Sequence, residues 1–382
     1  MPVATPTSAP IGYAIVGASS FAQFCLDAYR GIPDLRPVAV WSRSFDHAAA
    51  FAERNGLVAH PHLHGLLADP GVTLVHVAST PERHAPDALA ALASGRHVLV
   101  EKPLATSLLD GARLVGAARA NDVRLGVDFM MRFGPLWRPV ATILEEALLG
   151  APIRADVLNC AGDDGLPEDH WFWDPQRSGG ILIEHGVHFL DLLGSWFGPG
   201  RVTHGYAVPR PGADIIDQVG CEVRHADAVT VGHYHGFHQS RQLDRQQVRI
   251  VCELGELVLE GWVADRLRIR AVLSDAALLR LRTLLEQALP GVRVEVQRTL
   301  DGEDRRGSRR AGQPTLDHVV AADWASPHDQ QQVYAEALAA LMRDMLQAVR
   351  DPEHHVRVSG EDGLAALRLA VAGAPAASSA AA

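Results

Sequence analysis

The chain has 382 residues, 47% apolar and 21% charged, with a formal net charge of −10. That length exceeds what one core usually serves, so two domains are expected. The acidic balance excludes a general nucleic-acid partner. No apolar run is long enough to span a bilayer, and the start "MPVATPTSAP" lacks the basic-then-apolar pattern of a signal peptide. The expectation is a cytoplasmic protein with no membrane partner. Cys25, Cys160, Cys221 and Cys252 are scattered without a CxxC pair. They read as small buried hydrophobes, not as a disulfide frame or a zinc site.

Apolar runs alternate with amphipathic stretches up to about residue 130. Strands are expected at 11–17, 37–42, 72–79, 97–102 and 123–129, with helical spacing between them. Val/Leu/Ile-rich strands separated by helices predict a parallel, doubly wound Rossmann sheet over 1–130. "HPHLHG" (60–65) reads as a polar loop. Beyond 131 a helix ("LWRPVATILEEALLG") leads to a strand near 153–160 and a helix near 180–197. Strands then follow one another at 202–208, 217–225, 228–236, 246–260 and 264–273. This predicts an α+β domain over 131–382 with a large, mostly antiparallel open sheet. Two late helices, about 329–350 and 360–373, close the chain. The polar segment 301–314 reads as an exposed, mobile loop, and "APAASSAAA" (374–382) as a frayed tail.

The turn after the first strand, "YAIVGASSFAQF", stands where a dinucleotide fingerprint would lie. Gly17 suits the tight turn, Ser19 allows close approach to a phosphate, and Ala22 lets helix pack on strand. Ser20 and Phe21 open the helix whose free N–H groups would face the pyrophosphate. At the end of the second strand, Trp41-Ser42-Arg43-Ser44 carries no carboxylate until Asp46. A carboxylate there would bind a ribose hydroxyl, whereas Ser42 and Arg43 suit a 2′-phosphate. NADP(H) is therefore favoured over NAD(H).

Of 35 basic side chains, 34 are arginine; the single lysine is Lys102, in "HVLVEKPLAT". It closes an apolar strand of the parallel sheet, where ligands of open α/β folds bind. Ammonium is compact and shifts its pKa readily, unlike the planar guanidinium. Glu184 and His188 stand i, i+4, on one face of a helix, where a carboxylate can tune an imidazole for proton transfer.

Residues 78–107 closely resemble the glucose–fructose oxidoreductase/inositol dehydrogenase (Gfo/Idh/MocA) family. Thr80, Pro81 and His84 match its T-P-x-x-H turn, "ALASGRHV" its helix-to-strand join, and Glu101, Lys102 and Pro103 its E-K-P motif. "MRFGP" is similar to its R-F-x-P segment, "RSGGILIEHGVHFLDLLGSWFG" (177–198) to its G-G-x-x-x-D-x-G-x-H-x-x-D helix, and "DGLAALRLAVAG" to its closing helix. The likeness spans nearly the whole chain except about 271–328, an atypical insertion. Two positions depart from the pattern: Ser19 replaces the second fingerprint glycine and Glu184 replaces the aspartate.

The resemblance implies hydride transfer between nicotinamide and a sugar, an inositol or another polyhydroxylated ring. Lys102 and His188 would be the catalytic pair and Glu184 their polar neighbour. Ser79, Thr80, Pro81, His84, Glu101 and Lys102 would border the cofactor. Arg132, Trp173 and His185 are candidates for substrate contact, while Trp171 is as readily core. His233 and His235 share one strand face, but with His238 they lack the Cys or acidic partner of a metal site, so no metal is expected. A homodimer or homotetramer formed through the open sheet is expected. Two alternatives are a redox-neutral hydrolysis, elimination or epimerisation with tightly held NAD(P), and a non-catalytic NAD(P) sensor. The lysine and the Glu184/His188 pair speak against the sensor.

Overall fold

A computed structural model describes residues 9–374, apart from 227, 308, 309 and 313. Most of the tail expected to fray, 375–382, and the first eight residues lie outside the described residues. The chain divides into two compact units. One runs to Asp128 and regains Leu338–Leu367; the other holds Phe129–Ala337 and the segment from Arg368.

The first unit contains, in order, β1 (Ile11–Val16), α1 (Ser20–Tyr29), β2 (Leu35–Trp41), α2 (Phe45–Asn55), β3 (Val58–Ala59) and α3 (Leu63–Ala68). It continues with β4 (Leu74–Val77), α4 (Pro81–Ala93), β5 (His97–Val100), α5 (Leu108–Ala120) and β6 (Leu125–Val127). All six strands are parallel, in the order β3-β2-β1-β4-β5-β6. The expected Rossmann sheet is present, with one strand more than expected. β3 is only two residues long, too short to show a period. "HPHLHG" is not wholly a loop, because α3 begins at Leu63 and buries Leu66 and Leu67. Every residue of β1 is buried, as a strand covered on both faces requires. Serine hydroxyls at 19, 44 and 107 accept from the first-turn N–H groups of α1, α2 and α5, fixing where each helix starts.

The second unit begins with α6 (Trp137–Glu145), β7 (Pro152–Gly162) and the short α7 (Pro175–Ser178). A π-helical turn at Leu182–Gly186 then runs into α8 (Val187–Phe197). Next come β8 (Gly200–Pro209), β9 (Ile216–His225), β10 (Val229–Gln239), β11 (Arg245–Cys252), β12 (Gly255–Glu260) and β13 (Arg266–Leu273). After α9 (Asp275–Ala288), β14 (Arg293–Thr299) and β15 (His318–Ala325), the helices α10 (Gln330–Arg350) and α11 (Gly360–Gly373) close the chain. The strands form one nine-stranded sheet, β14-β15-β13-β12-β11-β7-β10-β9-β8, antiparallel except between β7 and β10.

One expectation needs correcting here. The single strand expected over 246–260 is a hairpin, β11 and β12, paired antiparallel. The segment 271–328 supplies β14 and β15, which extend the sheet beyond β13. Within 301–314, Gly302–Arg305 forms an exposed 3-10 turn. No helix among the described residues is long and apolar enough to cross a membrane.

Candidate active site

In the first unit the expected cofactor residues gather at the C-terminal ends of parallel strands. β1 lies between β2 and β4, so the order reverses there and opens a crevice beyond the strand ends. Gly17 leaves β1 with φ +115°, and a Cβ on it would lie 2.4 Å from the Ala78 carbonyl oxygen. Only glycine fits that close crossing of two strand ends. Ser19 accepts from Ala22 N at 3.1 Å through its hydroxyl. Its replacement of glycine is thus a helix cap, with Ser20 and Phe21 in the first turn behind it. At the end of β2, Arg43 is exposed and Ser42 half-buried, while the Ser44 hydroxyl caps α2.

Beyond β4, Ser79 and Thr80 lead into Pro81, the first residue of α4. The Ser79 hydroxyl donates to the buried Asp87 at 2.9 Å, and Arg83 pairs with the same carboxylate at 2.6 Å. His84, buried on α4, faces two carbonyl oxygens: Pro103 at 2.7 Å through Nδ1 and Ser79 at 2.9 Å through Nε2. Both of its polar edges therefore join the end of β4 to the residue after Lys102. Burial pushes its pKa down, and the two carbonyls oppose that shift. Lys102 is half-buried, and its peptide bond to Pro103 is cis.

Glu101 turns its carboxylate inward. Its Oε1 lies 2.8 Å from His76 Nε2, and His76 Nδ1 lies 2.8 Å from the Tyr13 hydroxyl. Cys25 Sγ lies 3.9 Å from the same carboxylate. Burial raises Glu101 to about 7 and lowers His76 to about 4. Cys25, His76 and Glu101 place one ligand atom each within 4.8 Å. The His76–Glu101 distance is that of a hydrogen bond, so the group is a hydrogen-bonded network.

In the second unit Glu184 falls in the π-helical turn and His188 in the first turn of α8, both buried. The expected α-helical i, i+4 pair thus straddles a change of helical pitch. A Cβ at Gly186 would lie 3.0 Å from Leu182 Cδ2 and 3.4 Å from His235 Nε2, so the turn packs closely on itself and against β10. The His188 ring meets Phe129 at 5.8 Å and Trp262 at 5.0 Å, nearly edge-on. His185 packs against Trp262 at 4.9 Å, Phe237 at 5.0 Å and His235 at 5.7 Å. Trp173 reaches the same cluster through Phe237 at 6.3 Å, and its indole N–H donates to Leu166 O. Arg132 is committed to Asp191, one turn beyond His188, by two hydrogen bonds. Trp171 is half-buried beside Phe172.

His233 and His235 share the inner face of β10, as the strand period predicts, with rings 6.1 Å apart and nearly parallel. His238 is exposed on the other face, near Tyr234. His235 stands in register with Asn159 on β7. Among the described residues, neither ring nitrogen of His233 or His235, and neither amide atom of Asn159, has a hydrogen-bond partner. Burial holds both histidines far below their usual pKa, so they are neutral donors and acceptors at physiological pH. Sequence reasoning missed Asn159, Trp262, Asp191 and Asp128. Asp191 stands in the quoted helix motif and Asp128 ends an apolar strand; Trp262 and Asn159 carry no sequence signal of their own.

Two family models match the chain. One, described as an oxidoreductase family with an NAD-binding Rossmann fold, matches residues 11–129; the other, the GFO/IDH/MocA C-terminal domain, matches 137–258. Among curated relatives, 1,5-anhydro-D-fructose reductase of Ensifer adhaerens is 33% identical over 47% of this chain and 55% of its own length. The dTDP-3,4-didehydro-2,6-dideoxy-alpha-D-glucose 3-reductase of Saccharopolyspora spinosa is 28% identical over 70% of this chain and 82% of its own. The chain spans about half the length of the first two curated relatives it matches, 55% and 52%. A 3-ketoreductase from Actinomadura kijaniata, solved with NADP and TDP-benzene, superposes with a TM-score of 0.72 at 21% identity, over 95% of this chain and 96% of that one. At that identity the likeness establishes a shared fold.

Proposed function

Because the chain belongs to the Gfo/Idh/MocA oxidoreductase family, we propose that it is an NAD(P)-dependent enzyme that interconverts a carbinol and a carbonyl on a sugar-like, polyhydroxylated substrate. The observation that carries this reading is the position of Lys102. The chain's single lysine stands at the end of β5, two strands from the β1 turn, where the fold offers its ligand crevice.

A bound nicotinamide would supply the hydride for reduction of the carbonyl carbon, or accept it from the carbinol carbon. In the reductive direction the Lys102 ammonium donates to the carbonyl oxygen and stabilises the charge that grows there. His188 supplies the proton that converts the oxyanion to a hydroxyl, and in the oxidative direction removes it. Glu184 orients the imidazole. Trp262 and Phe129 fix the plane of the His188 ring. Gly17, Ser19 and the start of α1 receive the pyrophosphate, while Ser42 and Arg43 favour a 2′-phosphate, so the cofactor is NADP(H).

The substrate class is argued from the second unit. Asn159, His233 and His235 present buried, uncharged donors and acceptors without protein partners among the described residues, which suits hydroxyl groups rather than a carboxylate or phosphate. His185, Trp173 and Trp262 offer flat apolar faces to the CH side of a ring. The Ensifer and Saccharopolyspora relatives are named for sugar substrates of this kind. We further propose that the chain forms a homodimer through the outer sheet face, where Tyr206, Val208 and Ile216 are exposed.

The test is a panel of ketosugars and polyols followed by NADPH absorbance. Cofactor turnover with members of the panel supports the reading. NADPH binding without turnover on any member contradicts it and favours a sensor.

A further inference from the structure

Across one end of the second unit's sheet lies a single side chain, Arg210, in the loop 210–215 between β8 and β9. Its Nε donates to Asp217 Oδ2 on β9 at 3.0 Å. Its Nη2 donates to the Phe237 carbonyl on β10 at 3.2 Å and to Asp163 Oδ2, just past β7, at 2.5 Å. These strands are neighbours in the order β7-β10-β9-β8, so one guanidinium ties four strand ends together. The same guanidinium lies 5.2 Å over the Trp173 ring. Its planar fork and its flat face are both in use, a combination that lysine cannot supply. Asp163 opens the segment 163–174, "DDGLPEDHWFWD", which carries five carboxylates and no Arg or Lys. Such a segment repels itself and favours solvent over the sheet unless a cation holds it.

We infer that Arg210 is a positioning residue that latches segment 163–174 to the sheet and so sets the Trp173 wall of the substrate site. The route from the latch to His188 is a continuous set of ring contacts within the second unit. Trp173 and Phe172 pack on the Phe237 ring at 6.3 and 4.8 Å. Phe237 meets His185 at 5.0 Å, His185 meets Trp262 at 4.9 Å, and Trp262 meets His188 at 5.0 Å. Arg210 holds both partners of the first contact, Trp173 through its ring and Phe237 through its carbonyl. Electrostatics gives the latch a direction. One guanidinium balances two carboxylates, Asp163 and the buried Asp217. Without it the two repel, and Asp163, on the self-repelling segment, is the one that moves away. Without Asp163 the Arg210–Asp217 pair stays whole and the segment alone is released. What this does to substrate binding rests on the function proposed above; the attachment of the segment does not.

Hydrogen–deuterium exchange of the whole chain, read by mass spectrometry on peptides spanning 163–174, tests the latch without turnover. We expect Arg210→Gln and Asp163→Ala each to speed exchange there by about tenfold or more, the loss of a charge-assisted contact, while peptides from α4 and α5 exchange as in the wild type. Arg210→Lys should keep only part of the protection, because ammonium retains the charge and loses the fork and the flat face. With NADPH and an accepted substrate, Arg210→Gln and Asp163→Ala should raise the substrate KM by about tenfold, hold kcat within about threefold and leave NADPH affinity unchanged. A general folding defect would not produce that split. Folded variants whose segment 163–174 exchanges as in the wild type overturn the inference. If Arg210→Gln fails to fold, Asp163→Ala decides alone. Faster exchange with an unchanged KM overturns it equally, because the segment then forms no wall of the substrate site. Faster exchange in a chain that turns over no substrate at all sustains the latch and refutes the proposed function.

Discussion

Arg132 holds Asp191 in a fork, Nε to Oδ2 at 2.8 Å and Nη2 to Oδ1 at 2.6 Å, one helical turn beyond His188. Asp191 is 3% exposed, so the ion pair is buried. Arg132→Ala should therefore destabilise the protein by about 3–5 kcal/mol, the cost of removing one partner of a buried ion pair. Arg132→Lys should recover only part of it, since an ammonium cannot make the planar two-bond contact. Denaturant unfolding checks both. Equal stability of Arg132→Ala and wild type would show that the fork has no structural role.

Gly17→Ala should be more damaging than its one added methyl suggests. The residue has φ +115°, and its Cβ would press on the Ala78 carbonyl at 2.4 Å. Either β1 or the end of β4 must shift, at a cost of about 1–3 kcal/mol or more. If the pyrophosphate binds at that crossing, as proposed, NADPH affinity should fall at least tenfold. Fluorescence titration with NADPH measures it.

Most of the architecture follows from residue patterns. The six parallel strands announce themselves as apolar runs between amphipathic helices, apart from β3, whose two residues are too few to show a pattern. The β11–β12 hairpin reads as one strand because the apolar-rich pattern continues across Glu253-Leu254, and the one turn signal there, Gly255, stands at the start of β12. Lys102 and His188 stand out by rarity and motif, but their surroundings do not. Trp262 reaches His188 only because β12 and β13 return beside β11, a long-range consequence of sheet order. Ser19 shows the opposite limit: a small polar residue in the turn suits a phosphate by its sequence position, and in the structure its hydroxyl caps α1.

Stability should depend on pH through two opposed groups. Burial raises Glu101 from 4.5 to about 7, so its contribution is complete below pH 4.5 and is lost as pH rises to 7. Burial lowers His76 from 6.5 to about 4, so its contribution is complete above pH 6.5 and is lost as pH falls to 4. Each amounts to roughly 3 kcal/mol and they oppose one another between pH 4.5 and 6.5. Glu101→Gln removes one side of this balance. Its stability should rise with pH across that window more steeply than the wild type's, as chemical denaturation at a series of pH values will read.

Cofactor choice should reside at the end of β2. Arg43 is exposed there and no carboxylate precedes Asp46. Arg43→Ala should weaken NADPH by about ten- to a hundredfold, the loss of a charge-assisted contact to phosphate, and leave NADH nearly unchanged. Isothermal titration with both cofactors separates the two. An equal loss for NADPH and NADH would place Arg43 elsewhere in the binding process.

The most direct test of the central claim is turnover of Lys102→Arg and His188→Ala in single-turnover mixing with NADPH and an accepted substrate. Each variant is expected to bind NADPH as the wild type does and to transfer hydride slower by a factor of at least about a hundred. Wild-type rates in both variants would contradict it.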